Sequence, residues 1–441
     1  MTAMDALQVG GRLAPQQSLA AGSALRVILI FDYASITGGA AKSALESAMG
    51  LARRGHHVTL FSAVGPVWPK LAEAGVEVIC LDQFDHLNDP NRVRSAISGL
   101  WNWRAAGELR RLLRAADPAR TIIHVHEWAK ALSPSVGLEI VRSGLPTIYS
   151  LHEYFLACPN GTFFDFGEGR NCGRTPLSAA CVTRNCDQRN YAHKVWRVAR
   201  HVALRATPNF ASHMRHYIYL ADLQLEVLRP HLTPGARFFK VANPIDIERR
   251  PRIDVGGNAT FLYVGRLSRE KGVDMLAKAA RSLNLPVRFI GDGPERENIR
   301  RILPDADISG WLPPDAVAAA MASARALLFP SLWYEGKPMV TLEAAARGLP
   351  AVISDNTSAR ESIVHNETGL LFRNGDQAAL ESAIAMLDPA TADRLGRAAY
   401  EGYWLAPQTL DLHVRDLEQV YAEVRADYRA TARTTGAEHA A

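Results

Sequence analysis

The strongest constraint on the fold is a strand and helix rhythm that runs through the first half of the chain and starts afresh in the second. Residues 25–32 (LRVILIFD) form a mostly apolar, β-branched run, the pattern of a strand buried on both faces of a parallel sheet. A turn follows at Gly38 and Gly39, then helical spacing over residues 40–54, a stop at Gly55 and a second apolar run at 57–62. Further strands are predicted at 76–81, 121–125, 147–151 and 203–207, separated by helical stretches, which describes a doubly wound parallel domain. A polar, Arg- and Gly-containing stretch runs from Asn243-Pro244-Ile245-Asp246 to Asn258 and marks a boundary. Strands at 260–265, 287–290, 326–330 and 351–354 then alternate with helices, so a second Rossmann-like domain is expected. Ligands bind beyond the carboxyl ends of such strands, which puts the site in the cleft between the domains.

The expected division is a first Rossmann-like domain over 25–250 and a second over 258–402. A helix over 403–428 is expected to pack back on the first domain, and the tail from 430 to fray. The length of 441 residues suits two domains, and 48% apolar with 22% charged residues is ordinary globular composition. Fifty Lys and Arg against 45 Asp and Glu give a net charge of +5 spread along the chain, unlike the concentrated patch of a nucleic-acid binder. Arg110, Arg111, Arg114 and Arg120 read as a solvated helix face, with rest on anionic lipid as the alternative. No window approaches 18 apolar residues, and residues 1–24 read as a loose tail rather than a signal peptide. The expected location is cytoplasmic, with the inner face of the membrane as a further setting.

Two segments carry the chemistry. The first, Arg266-Leu267-Ser268-Arg269-Glu270-Lys271-Gly272, leads from a strand into a helix and sets Arg266 and Lys271 near the helix N-terminus. A guanidinium grips phosphate oxygens in pairs, an ammonium adds a mobile point charge, and the helix dipole favours the same anion, so this loop suits a diphosphate. A solvated turn with ordinary surface charges is the other reading. The second is Trp333-Tyr334-Glu335-Gly336-Lys337-Pro338-Met339-Val340-Thr341-Leu342-Glu343. On one continuous helix Glu335 and Glu343 would be about 12 Å of rise and about 80° of turn apart. Pro338, favoured at the first helical position, instead leaves Glu335 in the preceding loop and Glu343 in the second turn, so that both can face the cleft.

The Glu, seven residues, Glu spacing followed by Ala344-Ala345-Ala346-Arg347-Gly348-Leu349-Pro350 resembles family 4 of the retaining GT-B glycosyltransferases, the group 1 glycosyl transferases. The resemblance extends over nearly the whole chain. It takes in Gly38-Gly39, Arg54-Gly55-His56, Leu151-His152-Glu153, Asn243-Pro244-Ile245-Asp246, the Arg266 to Gly272 loop and Gly291-Asp292-Gly293. It implies a donor nucleoside-diphosphate sugar bound by the domain over 258–402, a glycan or lipid-linked acceptor on the side of the domain over 25–250, and no cofactor for catalysis. Arg266 and Lys271 would neutralise the diphosphate, Glu343 would accept from the ribose hydroxyls, Glu335 would hold the transferred sugar, and His152 would lie near its reacting face. Gly38 and Gly39 read either as a backbone approach to phosphate or acceptor or as a plain tight turn. His124, His126 and Glu127 could equally meet the acceptor or be structural.

Lys337 departs from the apolar residue common in relatives and would offer a third cation beside the diphosphate, while Pro338 lacks an N–H and leaves Met339 and Val340 as backbone donors. The rival readings are a GT-B epimerase or phosphorylase, and a scaffold without turnover, against which the four intact charged residues count. A dinucleotide dehydrogenase ranks last because neither turn reads GxGxxG.

Four of the five cysteines, Cys158, Cys172, Cys181 and Cys186, fall in one Gly-, Asn- and Arg-rich insertion over 158–190. Two readings stand: four thiolates closing a structural zinc site, with an iron–sulfur cluster behind it, or four unrelated thiols. Cys80, inside a strand, reads as a small core residue.

Overall fold

The computed structural model describes residues 24–206 and 210–438. The expected loose tail of residues 1–24 therefore lies outside the described residues except for Ala24. The first domain holds β1 (Arg26–Ile30), β2 (His57–Ser62), β3 (Glu77–Cys80), β4 (Thr121–Val125) and β5 (Thr147–Ser150), then a short hairpin of β6 (Phe164–Asp165) and β7 (Arg170–Asn171), then β8 (His216–Tyr219) and β9 (Arg237–Lys240). The second holds β10 (Thr260–Val264), β11 (Val287–Ile290), β12 (Asp307–Gly310), β13 (Ala324–Phe329), β14 (Ala351–Ser354) and β15 (Gly369–Phe372). The main sheets run 3-2-1-4-5-8-9 and 12-11-10-13-14-15, with parallel pairing throughout.

Strand β1 illustrates why the apolar runs become central strands. Its side chains alternate, so Val27 and Leu29 enter the core on one face of the sheet while Ile28 and Ile30 enter the core on the other. Each such burial contributes about 1.5–3 kcal/mol, and only a strand covered on both faces collects it on every residue. The helix Gly39–Arg53 lies on the Val27 face, together with Val414, Leu417, Val420, Tyr421 and Val424 of the terminal helix.

That terminal helix spans Leu410–Glu438, so the backbone stays helical past Ala430, where fraying was expected. It is tied to the first domain at several levels: His413 Nε2 to Ser47 Oγ at 2.7 Å, Arg54 and His56 to Glu418, and Tyr421 OH to His124 Nδ1 at 2.7 Å. The preceding helix, Pro389–Leu405, instead buries Ala392 and Leu395 in the core of the second domain.

One predicted strand is wrong. Residues 203–206 end the helix Tyr191–Ala206, because Lys194, Arg200, His201 and Leu204 recur at helical spacing and bury one face; residue 207 lies outside the described residues. The strand that takes its place is β8, whose short HYIY sequence follows a segment with no turn signal. Strands β9, β12 and β15 were likewise not anticipated, each being only four residues long.

Candidate functional site

In both sheets the strand order reverses beside the first strand, between β1 and β4 and between β10 and β13, and loops leaving these strands converge on the gap between the domains. From the second domain, β10 runs into Gly265 and Arg266, then a tight turn Arg269–Lys271, and Gly272 starts the helix Val273–Ser282. Gly272 has φ +68°, and a Cβ there would lie 2.1 Å from the Pro330 carbonyl oxygen, so no other residue fits between the two loops. This contact carries Lys271 to the loop after β13.

There the Lys271 ammonium donates to both carboxylate oxygens of Glu335, at 2.7 and 2.9 Å, and stands over the Trp333 ring. Ser331 Oγ donates to the same carboxylate at 2.5 Å. Glu335 is buried and adopts φ +58°, a left-handed conformation that a non-glycine residue enters at a cost of about 1–3 kcal/mol. Its carbonyl accepts from Tyr154 OH of the first domain at 2.6 Å. Next in sequence, Gly336 passes so close to the first domain that a Cβ would meet the His152 carbonyl oxygen at 2.7 Å. Arg266 is exposed at the mouth of the same loop.

The seven-residue helix Met339–Ala345 begins one position later than expected, with Pro338 as its cap. Its outer face meets the first βα turn. A Cβ on Gly39 would be 3.8 Å from the Met339 sulfur, and Lys42 on the helix Gly39–Arg53 reaches Glu343 at 3.6 Å. Gly38 caps that helix with extended backbone and open space at its Cβ position. Met339 is buried, and Val340 packs on the core of the second domain. Lys337 does not join Lys271. It turns to Glu361 at 3.7 Å, the buried end of an interdomain chain of charges whose outer members, Lys240 and Asp222, are exposed, because Glu361 supplies the counter-charge that a buried ammonium needs.

On the first domain, His152 follows β5 and stacks on His126, with Nε2 2.8 Å from His126 Nδ1. Burial pushes the His152 imidazole down to about 4 against the opposing pull of Glu127, so the ring is neutral at pH 7. His124 is held by Ser150 Oγ and Tyr421 OH, which gives it a structural role. Glu127 pairs with Lys130 at 2.6 Å. Asp32, at the end of β1, accepts from the backbone N–H groups of Lys130, Ala131 and Leu132 and so fixes the loop that carries His126 and Glu127. Burial and the neighbouring Glu127 charge push the Glu153 carboxyl up to about 8.

The residues that the sequence reading missed are Lys42, Ser331 and Tyr154. Lys42 lies one helical turn after Gly38, and Ser331 follows β13 directly, so strand-end position signals both; only the closed structure brings Tyr154 onto Glu335. Of the expected group of arginines, Arg110 pairs with Glu139 and Arg111 with Glu108. Among the described residues no group of three or more His, Cys, Asp or Glu side chains is drawn together to hold a metal ion, and no helix is long and apolar enough to cross a membrane.

Two parallel-sheet domains closing on a cleft lined with paired cations and carboxylates define a GT-B architecture. Consecutive family models match the chain, a glycosyl transferase 4-like domain over residues 38–208 and glycosyl transferases group 1 over residues 245–402. The chain belongs to this glycosyltransferase family. It is 35% identical over 164 residues to a glycogen synthase of Mycobacterium tuberculosis, covering 34% of this chain and 39% of that protein. To a D-inositol 3-phosphate glycosyltransferase of Pseudarthrobacter chlorophenolicus it is 27% identical over 298 residues, covering 63% of this chain and 65% of that one, so it spans less than two thirds of these relatives. Anabaena Alr3699/HepE, solved in complex with UDP-glucose, shares the fold with a TM-score of 0.63 at 15% identity, covering 91% of this chain and 100% of that one.

Proposed function

We propose that the chain transfers a sugar, with retention of anomeric configuration, from a nucleoside-diphosphate sugar to a hydroxyl of a glycan or lipid-linked acceptor. The observation that carries this reading is the Lys271 ammonium locked on the Glu335 carboxylate in the cleft, with His152 one backbone contact away across the domain gap. A carboxylate fixed by a cation and a hydroxyl is a receptor for sugar hydroxyls. The same cation lies where a leaving diphosphate would end.

As the glycosidic bond breaks, negative charge grows on the diphosphate, so Lys271 and Arg266 stabilise the transition state more than the bound donor. Glu343, on the neighbouring helix turn, is positioned to accept from ribose hydroxyls once Lys42 yields it, and the amides of Met339 and Val340 open the first turn of that helix beside Gly39. Neutral His152 offers the sugar a hydrogen-bonding group without a positive charge that would oppose a developing oxocarbenium ion. Retention without an enzyme nucleophile requires attack on the face that the diphosphate leaves, with a phosphate oxygen taking the acceptor proton.

The complex of Anabaena Alr3699/HepE with UDP-glucose supports a sugar nucleotide as donor, and the relatives, a D-inositol 3-phosphate glycosyltransferase and a glycogen synthase, support sugar transfer as the reaction. A setting in surface glycan assembly at the inner membrane face is supported by the exposed apolar side chains Val93, Ile97 and Trp103 beside Arg94 and Arg104. The test is incubation with a panel of sugar nucleotides and acceptors, with the anomeric configuration of the product read by proton NMR. An α-donor giving an α-linked product supports the proposal; inversion, or epimerisation of the donor without transfer, refutes it.

A further inference from the structure

The insertion over 158–190 has almost no regular structure of its own: the two-residue strands β6 and β7 and the helix Ala179–Thr183. Yet it is placed against the site. Cys158 N–H donates to the Tyr154 carbonyl, and Tyr154 in turn holds Glu335, while Arg269 of the donor loop donates to the Phe166 carbonyl at 2.7 Å. A segment this poor in core needs another source of order to bridge two domains.

The sulfurs indicate what that source is. A neutral thiol is a weak acceptor, but N–H donors are aimed at every one of the four. Lys194 Nζ stands 3.3 Å from Cys186 Sγ and 3.6 Å from Cys181 Sγ, and Asn160 Nδ2 is 3.4 Å from Cys186 Sγ. Arg174 Nη1 is 3.6 Å from Cys172 Sγ, and the backbone N–H groups of Phe163, Thr162 and Asn160 face the Cys158 sulfur. Lys194 is 0% exposed, and among the described residues its ammonium meets the sulfurs of Cys181 and Cys186 and no carboxylate. Cys158 and Cys172 both lie near enough to Cys186 to feel its charge, and Cys158 near enough to Lys194, so the four sulfurs share one neighbourhood of the insertion without meeting at one point.

Four thiolates cannot share a buried pocket with one lysine, since their mutual repulsion far exceeds what a single ammonium offsets. A divalent ion removes most of that excess and leaves a tetrathiolate centre with two negative charges, which buried N–H donors and a cation stabilise. We propose that Cys158, Cys172, Cys181 and Cys186 bind one zinc ion, which pins the insertion as a strap between the domains. Lys194 Nζ now stands between two of the sulfurs, and no three of them are closed around one point. Loading therefore swings this ammonium outward, where it becomes an N–H···S donor to the bound thiolates. The Cys80 thiol, which donates to Asp82 in another part of the domain, lies outside the cluster.

The test uses the full chain purified without chelator. Elemental analysis should find one zinc per chain, kept by Cys80→Ser and lost by Cys172→Ser, whose position is the least buried of the four. Should Cys172→Ser fail to fold, titration of the wild-type chain with a mercurial should release that zinc in step with four thiols, as read by a chromogenic chelator. Chelation should also raise the donor KM, through the strap to Tyr154 and Glu335. Iron with acid-labile sulfide, a disulfide within the cluster, or four thiols titrating freely in a folded, zinc-free chain would each overturn the proposal.

Discussion

Tyr154→Phe isolates the contact by which the first domain holds Glu335, the carboxylate proposed to bind the sugar, on the second. The phenol is 0% exposed and donates to the Glu335 carbonyl at 2.6 Å, while Glu335 itself sits at φ +58°. Removing one partner of a buried hydrogen bond costs about 1–3 kcal/mol. That is as large as the strain of a left-handed non-glycine residue, about 1–3 kcal/mol, so without the phenol the Glu335 loop is free to relax. The ring contacts with Phe163, Trp333 and Tyr334 survive the substitution, and the fold should too. If about 1–2 kcal/mol of transition-state positioning is lost, kcat/KM for the donor should fall about 5- to 30-fold. Steady-state kinetics beside a thermal melt reads both effects, with the melting temperature expected to move by only a few degrees. Unchanged kcat/KM in a folded variant would refute the reasoning, because Glu335 would then hold its conformation without Tyr154.

Three further outcomes follow from the same geometry. Lys271→Ala should lower kcat by about 10²- to 10³-fold through lost stabilisation of the leaving group, whereas Glu343→Ala should chiefly raise the donor KM; equal changes in both constants for both variants would contradict this division. Gly336→Ala puts a Cβ 2.7 Å from the His152 carbonyl oxygen, so it should destabilise the closed arrangement by about 1–3 kcal/mol and depress turnover, and wild-type melting and activity would show that the domains do not meet there. Glu153 is raised from 4.5 to about 8, so its stabilising contribution is complete below pH 4.5 and lost as the pH rises through 8; the melting temperature should fall across that window, and Glu153→Gln should flatten the fall.

Much of this arrangement was legible in the chain because strand-end loops and short motifs are local signals. The apolar runs located β1, β2, β10 and β14, and Pro338 correctly separated the loop bearing Glu335 from the helix bearing Glu343. What stayed hidden depends on packing between distant segments. The run at 203–206 looks like a strand until Lys194 and Arg200, both long and polar, are seen to share its buried helical face. Lys337 looks like a phosphate ligand until Glu361, on a turn of the second domain that follows β14, claims it. Tyr154 has no motif value at all; it matters because the loop after β5 sets its hydroxyl on a carbonyl 181 residues away. The cysteine spacing likewise hid Lys194, which joins the cluster from a separate helix.

The central claim, that this cleft binds a nucleoside diphosphate through Lys271 and the ribose through Glu343, is tested most directly by calorimetric titration of the protein with nucleoside diphosphates and their parent nucleosides. One diphosphate should bind with a stoichiometry of one, far more tightly than its nucleoside, and Lys271→Ala should remove most of that difference while Glu343→Ala weakens both. Binding that ignores the diphosphate, or that survives Lys271→Ala unchanged, would contradict the account.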